Sequence, residues 1–212
     1  MFDIEYKGGN AVVFTSKKIQ LVFDPNLSVV GQKNLAVKDA VEIATEPRFA
    51  LNDKSARLCI EGPGDYELGD ASIKGISAIR HLDTETDEPI DTIYRLEIGD
   101  VRLAVLGNIA SKLSEEQLEN IGVVDILIVP VGGGGYTLDA TSAATIVRQI
   151  DPHVVVPVHY ADESLKYEVP QDSFEVFAKE LAAAVEDAGP KYKVKALSSI
   201  PQVLTVVKIQ RS

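Results

Sequence analysis

A run of glycines is one place in this chain where residue type and spacing could serve chemistry. Gly132, Gly133, Gly134 and Gly135 follow the apolar stretch DILIVPV and precede a predicted helix that Asp139 would cap. Backbone amides in such a loop can hold a phosphate group. The run, however, lacks GxGxxG spacing and the Lys and Ser or Thr of a P-loop, and the Asp139 carboxylate would repel an anion. We therefore predict a tight turn in which Gly132 and Gly133, with Asp139, line the mouth of a cleft.

The acidic stretch HLDTETDEPID raises the question of a cation site. Its carboxylates belong to Asp83, Glu85, Asp87, Glu88 and Asp91. A calcium loop needs a central Gly and regularly spaced oxygen ligands, and the stretch has neither. We predict a solvated hairpin loop.

The overall charge excludes two classes of partner. The 212 residues include 21 Lys and Arg against 32 Asp and Glu, a formal net charge of −11 at pH 7. Nucleic acids and anionic membrane surfaces both attract clustered basic residues, so we expect neither as a partner. A small anionic molecule or a protein partner is the better expectation.

Cysteine usage and the absence of a targeting pattern indicate the compartment. Cys59 is the single cysteine, so no internal disulfide can form, and its apolar context RLCIE predicts an inert thiol. The stretch MFDIEYKGG lacks the pattern of a signal peptide, and no apolar run reaches the length of a membrane span. We expect a cytoplasmic protein.

Short apolar segments separated by turn residues dominate the first half of the chain. Their length and partial alternation predict β-strands, over FDIEY, AVVFT, IQLVF, AVEIA, RLCIE, ASIKGISAI, DTIYRLEI and VRLAVL. Gly99 and Asp100 between the last two predict a hairpin. In the second half, DILIVPV and VVVPV are apolar throughout, as in strands buried on both faces, and YKVKAL and VLTVVKI predict closing strands.

Three stretches of the second half have helix signals. Ser114 and Gln117 form a capping box, Asp139 precedes ATSAATIVRQI, and Asp172 with Glu175 predicts a third N-cap. The third helix would bury one apolar face, consisting of Phe174, Phe177, Leu181 and Val185. Strands first and then a β-α-β-α-β order predict a single mixed α/β domain over residues 1–212.

Several segments in a fixed order now point to a family. They are GNAVVF, LVFDPN, GPGDYELGDASIKGI, LGN, VDILIVPVGGGGYTLDA and PHVVVPVHY. Together they resemble the metallo-β-lactamase superfamily, in particular a small bacterial branch of Zn-dependent-hydrolase-like proteins similar to the ascorbate-phosphate lactonases. The resemblance runs from Phe2 to about Ile209. It implies a four-layer αββα sandwich with two mixed β-sheets flanked by helices.

The resemblance also implies which positions would hold metal. Active members of the family bind two divalent metals through an HxHxDH stretch that follows an apolar strand, and this stretch falls on ATEPRFALN. The ligand positions are substituted in this chain by Glu46, Arg48, Ala50 and Leu51, and further along by Asn108 in LGN. Upstream, Asn10 replaces the His of the family's GHA motif, and the Asp24 of the DP motif is kept. Of the metal-ligand positions, only His81 and His159 are retained. Because a zinc site needs at least three protein donors, we expect no binuclear metal and no other cofactor.

We therefore predict a pseudoenzyme whose remaining cleft binds a ligand or a partner. In its sharper form, Arg48 supplies the positive charge that the metals give in the family, steadied by Glu46 or Asp24, and holds a phosphate or carboxylate with two hydrogen bonds. The candidate cleft residues are Asp24, Asn10, Gly132, Gly133 and Asp139.

The alternative is a divergent hydrolase of a small lactone, phosphoester or similar substrate. His81 and His159, with Asp24, Glu46 or Asp139, would then hold one Zn or another divalent metal. His159 could instead serve as a metal-free general base. A purely structural role, with a homo-oligomer, is the third expectation.

Overall fold

The structure is a computed structural model that describes residues 1–81 and 91–212. The first of its two β-sheets is a six-stranded mixed sheet in the order β13-β1-β2-β3-β4-β5. Its strands are β1 (Phe2–Gly8), β2 (Ala11–Ser16), β3 (Gln20–Phe23), β4 (Val41–Ala44), β5 (Leu58–Glu61) and β13 (Tyr192–Val194). Strand β3 pairs parallel with β4, and β4 pairs parallel with β5. The carboxyl ends of these three strands therefore lie at one edge of the sandwich.

The second sheet is eight-stranded, in the order β12-β14-β11-β10-β9-β8-β7-β6. Its strands are β6 (Gly64–Leu68), β7 (Ala71–Ala78), β8 (Asp91–Ile98), β9 (Val101–Val105), β10 (Ile126–Pro130), β11 (Val154–Val158), β12 (Ala184–Asp187) and β14 (Thr205–Lys208). The helices are α1 (Glu115–Ile121), α2 (Ala140–Ile150) and α3 (Phe174–Leu181). None of the helices in the described ranges has the length and apolar character needed to cross a membrane.

The two sheets pack face to face, as the αββα prediction requires. One buried cluster joins Phe14 and Ile43 of the first sheet to Leu96, Ile128 and other residues of the second. A second buried cluster lies between the outer face of the second sheet and α1, α2 and α3. The outer face of the first sheet is covered instead by a 3-10 turn at Leu27–Val30 and by residues 35–40. The fold class is confirmed.

Local capping signals were informative for two helices. Ser114 and Gln117 form the predicted capping box at the start of α1. The carboxylate of Asp139 accepts a hydrogen bond of 2.7 Å from the Ser142 amide at the start of α2. The hairpin predicted at Gly99 and Asp100 joins β8 to β9.

The prediction for the third helix was partly wrong. The residue before α3 is Ser173, and Asp172 does not cap it. The Asp172 amide instead donates to the Gly132 carbonyl oxygen at 2.7 Å, which ties this segment to the glycine loop. The helix ends at Leu181 because Ala182 adopts a left-handed conformation with φ of 54°. Val185 consequently lies in β12, where its side chain is exposed.

The prediction for the acidic stretch was wrong at its last residue. Asp91 is the first residue of β8 and is 2% exposed, so it does not belong to a solvated loop. The other four acidic residues of the stretch, Asp83, Glu85, Asp87 and Glu88, lie outside the described residues.

Candidate functional site

The site is built where β3 and β4 end. Asp24 follows β3 with a left-handed φ of 51°, which turns its buried carboxylate towards the end of the next strand. Its two oxygens accept hydrogen bonds from the Thr45 amide at 2.7 Å and the Thr45 hydroxyl at 2.8 Å. Burial raises the pKa of Asp24 from 3.8 to about 7 in spite of these two donors. Asp24 therefore fixes the backbone from which Glu46 and Arg48 project.

Glu46 is the centre of a buried ion cluster. Its side chain is 1% exposed, and its Oε2 atom lies 3.1 Å from Arg48 Nε and 3.3 Å from Arg80 Nη1. Its other oxygen accepts a 2.7 Å hydrogen bond from the side-chain amide of Asn108. The Arg48 Nε–H does not align with Oε2 well enough to form a hydrogen bond, so that contact is an ion pair. One carboxylate thus holds two guanidinium groups.

Two aromatic rings fix the plane of the Arg48 guanidinium. Its central carbon lies 4.5 Å from the ring centroid of Phe49 and 4.5 Å from that of Tyr136. Phe49 belongs to the same 3-10 turn as Arg48. Tyr136 comes from the glycine loop, where its amide donates to the carbonyl oxygen of Gly133, a residue with φ of 65°. Among the described residues, no side chain or backbone carbonyl accepts a hydrogen bond from the terminal nitrogens of Arg48.

His159 is buried beside this arginine. It follows β11 with φ of 51° and is 3% exposed. Its Nδ1 lies 2.7 Å from the side-chain oxygen of Asn10, which indicates that Nδ1 carries the proton. The imidazole stacks on the Tyr167 ring with centroids 4.9 Å apart. Burial, with a smaller contribution from the Arg48 charge, lowers the pKa of His159 to about 3. The ring is therefore neutral at pH 7.

Arg48 and His159 share a narrow pocket. It has a volume of about 290 Å³ and admits only a small ligand. The pocket is lined by Val29, Val30, Arg48, Phe49, Tyr136, His159, Tyr167, Glu168, Val169 and Gln171. Next to it, a more open groove of about 990 Å³ is formed by residues 161–163, 165 and 167–171.

The cleft candidates predicted from the sequence lie behind this pocket. Asp24 and Asn10 are buried and hold Thr45 and His159 in place. A Cβ atom on Gly132 would lie 2.1 Å from the His159 carbonyl oxygen, so only glycine fits there. Gly133 positions Tyr136, and Asp139 caps α2. None of these five residues lines the pocket.

The remaining predicted positions lie around the ion cluster. The amide of His81 donates a 2.7 Å hydrogen bond to the Asn108 carbonyl oxygen, and His81 is half-buried. Ala50 ends the 3-10 turn that carries Arg48. The amide of Leu51 donates to the carboxylate of Glu42, which also accepts hydrogen bonds from the next two amides along the chain.

Sequence reasoning missed several residues of the site. Arg80, Tyr136, Tyr167, Glu42 and the buried Asp91 carry no motif, and each reaches the site from a different element. Asp91 lies against Gly107, where an added Cβ would be 2.2 Å from its Oδ1. Neither of its oxygens has a hydrogen-bond partner of good geometry in the described chain, and burial raises its pKa well above 3.8.

The residues present do not fit a binuclear metal centre. In residues 1–81 and 91–212, no three His, Cys, Asp or Glu side chains converge so as to hold a metal ion. The donor at position 46 already holds two guanidinium groups, whose positive charge cannot be removed by deprotonation. A dication at this carboxylate would have to displace both arginines against their electrostatic repulsion.

Comparison with known proteins identifies the family of this fold. The sequence pattern of the Beta-lactamase superfamily domain matches residues 3–159. A UPF0173 protein of Pyrococcus abyssi is 37% identical over 101 residues, which are 48% of this chain and 44% of that protein. A UPF0173 metal-dependent hydrolase of Carboxydothermus hydrogenoformans is 26% identical over 46% of this chain and 44% of its own length. The matched region thus spans less than half of these curated relatives.

Solved structures show the same fold over nearly the whole chain. A solved structure described as a Zn-dependent hydrolase of the metallo-β-lactamase superfamily comes from Thermotoga maritima. It superposes on this chain with a TM-score of 0.77 at 22% identity, covering 99% of this chain and 100% of that one. The metallo hydrolase Igni18 from Ignicoccus hospitalis gives a TM-score of 0.68 at 16% identity over 92% of this chain and 99% of its own. At these identities the likeness concerns the fold alone.

Proposed function

The chain belongs to the β-lactamase superfamily, and on that premise we propose that it binds a small anion at Arg48 in place of the family's binuclear metal hydrolysis. The observation that carries this proposal is the fixed Arg48 guanidinium at the end of β4. It is paired with a buried carboxylate, contacts two aromatic rings and lines a pocket.

The physical case rests on preorganisation. A guanidinium presents its N–H donors in a rigid fork that matches the two oxygens of a carboxylate or phosphate. In Arg48 the Nε side faces Glu46, and the Phe49 and Tyr136 rings hold the plane. Because the side chain is already ordered, an incoming anion loses little of its binding free energy to rotamer entropy. Arg80 adds a second positive charge at Glu46.

Metal-free base catalysis by His159 receives little support. A general base works best when its pKa lies near the operating pH. The pKa of His159 falls to about 3 because the ring is buried and lies near a permanent cation. At pH 7 the imidazole of His159 is therefore too weak a base to abstract a proton efficiently. His159 is better suited to hold a ligand through a hydrogen bond.

The test is anion binding measured by thermal shift and isothermal titration calorimetry. Acetate, phosphate and sulfate are titrated into wild type, Arg48→Ala, Arg48→Lys and a matched control, Arg57→Ala, an exposed arginine without an ion pair among the described contacts. We expect saturable binding of at least one anion, unchanged in the control and weakened at least about tenfold in Arg48→Ala. Arg48→Lys should also bind more weakly because a lysine lacks the fork. Equal affinity in wild type and Arg48→Ala would overturn the proposal.

A second candidate function is a divergent metal-dependent hydrolase. It is supported by the retained His81 and His159 and by the name of the Carboxydothermus relative. The test is metal content, by mass spectrometry, of protein grown with added zinc, manganese and iron and purified without chelator. On the anion-binding proposal we expect less than about a tenth of an equivalent, since too few donors converge. One tightly held equivalent that is lost in His81→Ala or His159→Ala would favour the hydrolase.

A further inference from the structure

The polar groups around Arg48 restrict which anion the pocket would accept. The Nδ1–H of His159 donates a hydrogen bond to Asn10 Oδ1. In this tautomer the Nε2 atom keeps a lone pair and can only accept a hydrogen bond. Among the described residues, Nε2 has no partner, and the ring lines the same pocket as Arg48. The pocket therefore contains both a donor fork and a hydrogen-bond acceptor.

Acidic side chains near the Arg48 guanidinium disfavour binding of a dianion. Glu168 lines both the pocket and the open groove next to it, and Asp162 and Glu163 line the groove. Asp162 is paired with Arg211 Nε at 2.7 Å, whereas no ion pair joins Glu163 or Glu168 to a described cation. These carboxylates would therefore repel a phosphate dianion at Arg48 more strongly than a monocarboxylate, and they would attract a cationic group next to the ligand's carboxylate.

Size and polarity point the same way. The pocket, of about 290 Å³, takes a small ligand or only the head of a larger one. Val29, Val30 and Val169 line the pocket around this head and offer contact to a short carbon chain. A larger polyanion would leave most of its charged groups in the acidic groove.

We propose that the preferred ligand is a small monocarboxylate with a hydroxyl or ammonium group on the adjacent carbon, bound with its carboxylate on Arg48 and its donor on His159 Nε2. This rests on the proposed anion-binding function and names its ligand class. An acid without the donor would leave Nε2 unpaired. The donor should strengthen binding roughly tenfold, the usual effect of one hydrogen bond to a desolvated partner.

The experiment compares matched ligand pairs by calorimetry. Glycolate is set against acetate, lactate against propionate, and alanine against propionate, with inorganic phosphate as the dianion. The proteins are wild type, Arg48→Ala and His159→Phe, which keeps an aromatic ring on Tyr167 but has no acceptor. We expect roughly tenfold tighter binding of the hydroxy or amino acid in wild type and no such preference in His159→Phe.

A second readout does not depend on a folded variant. In wild type labelled with ¹⁵N, the Nε2 resonance of His159 should shift on addition of lactate and not on addition of propionate. Equal affinity within each pair, or tighter binding of phosphate, would overturn the ligand class while leaving anion binding at Arg48 intact. Absence of Arg48-dependent binding for every ligand would overturn both.

Discussion

Replacing Glu46 by glutamine tests whether the ion cluster organises the site. Glu46→Gln keeps the shape of the side chain and an oxygen that can still accept from Asn108. The other oxygen, Oε2, is replaced by an NH2 group that faces the guanidinium groups of Arg48 and Arg80. The NH2 group and the guanidinium groups are all hydrogen-bond donors, so no hydrogen bond can form there. The substitution thus leaves two arginines without their shared anion.

The magnitude follows from burial. Breaking a fully buried ion pair costs about 3–5 kcal/mol. Glu46 is 1% exposed, but Arg48 and Arg80 are 27% and 28% exposed, so water partly solvates the freed cations. We expect a loss of about 2–3 kcal/mol in the free energy of unfolding. For a chain of this size, that corresponds to a fall in Tm of roughly 5–10 °C.

The assay is urea unfolding at pH 7, with Tm as a second readout. The matched control is Glu67→Gln, an exposed glutamate outside the described ion pairs, which should change stability by less than about 0.5 kcal/mol. A double-mutant cycle with Arg48→Met should give a coupling energy of about 1 kcal/mol. If Glu46→Gln is as stable as its control, the cluster is a surface contact without structural weight, and the reasoning on Arg48 fails with it.

Three further predictions concern the residues that support the site. Asp24 holds its proton up to about pH 7 in the folded state and only to about 3.8 when unfolded, so its contribution to stability is lost as pH rises through this window. Asp24→Asn removes the titration, so the free energy of unfolding of this variant should match that of wild type near pH 4 and exceed it at pH 8. A difference in stability that stays constant between these pH values would contradict this. The Glu42 carboxylate accepts hydrogen bonds from the amides of Leu51, Asn52 and Asp53 at 2.5, 2.8 and 3.2 Å. Glu42→Ala should therefore lower the free energy of unfolding by about 2–3 kcal/mol and remove hydrogen-exchange protection from these amides. Unchanged protection would show that Glu42 does not hold this segment. Asp139→Ala should lower the free energy of unfolding by about 1 kcal/mol because the α2 cap is lost. Asp172→Ala, at a position without a capping hydrogen bond, should leave it almost unchanged. Equal losses for the two variants in chemical unfolding would show that the cap has no effect.

Local patterns predicted much of the fold because they depend on neighbours in sequence. The alternating and apolar runs gave most strands at nearly their observed bounds, and the Ser114 and Asp139 caps marked two helix starts. The strands β6 and β12 were not predicted. In β12 all four residues are exposed, so no apolar pattern marks it, and it forms by pairing with β14.

The sequence by itself determined which side chains stand at the positions singled out by the family resemblance. Alanine and leucine at positions 50 and 51 follow from residue identity alone, and no packing can make a metal ligand of either. Only the tertiary structure decided what surrounds these positions. Arg80, Asn108 and Tyr136 approach Glu46 and Arg48 from separate elements. Asp91, the first residue of β8, is buried where its carboxyl group packs against Gly107. Such contacts join residues that are distant along the chain, and their geometry depends on how the two sheets pack, which no local pattern encodes.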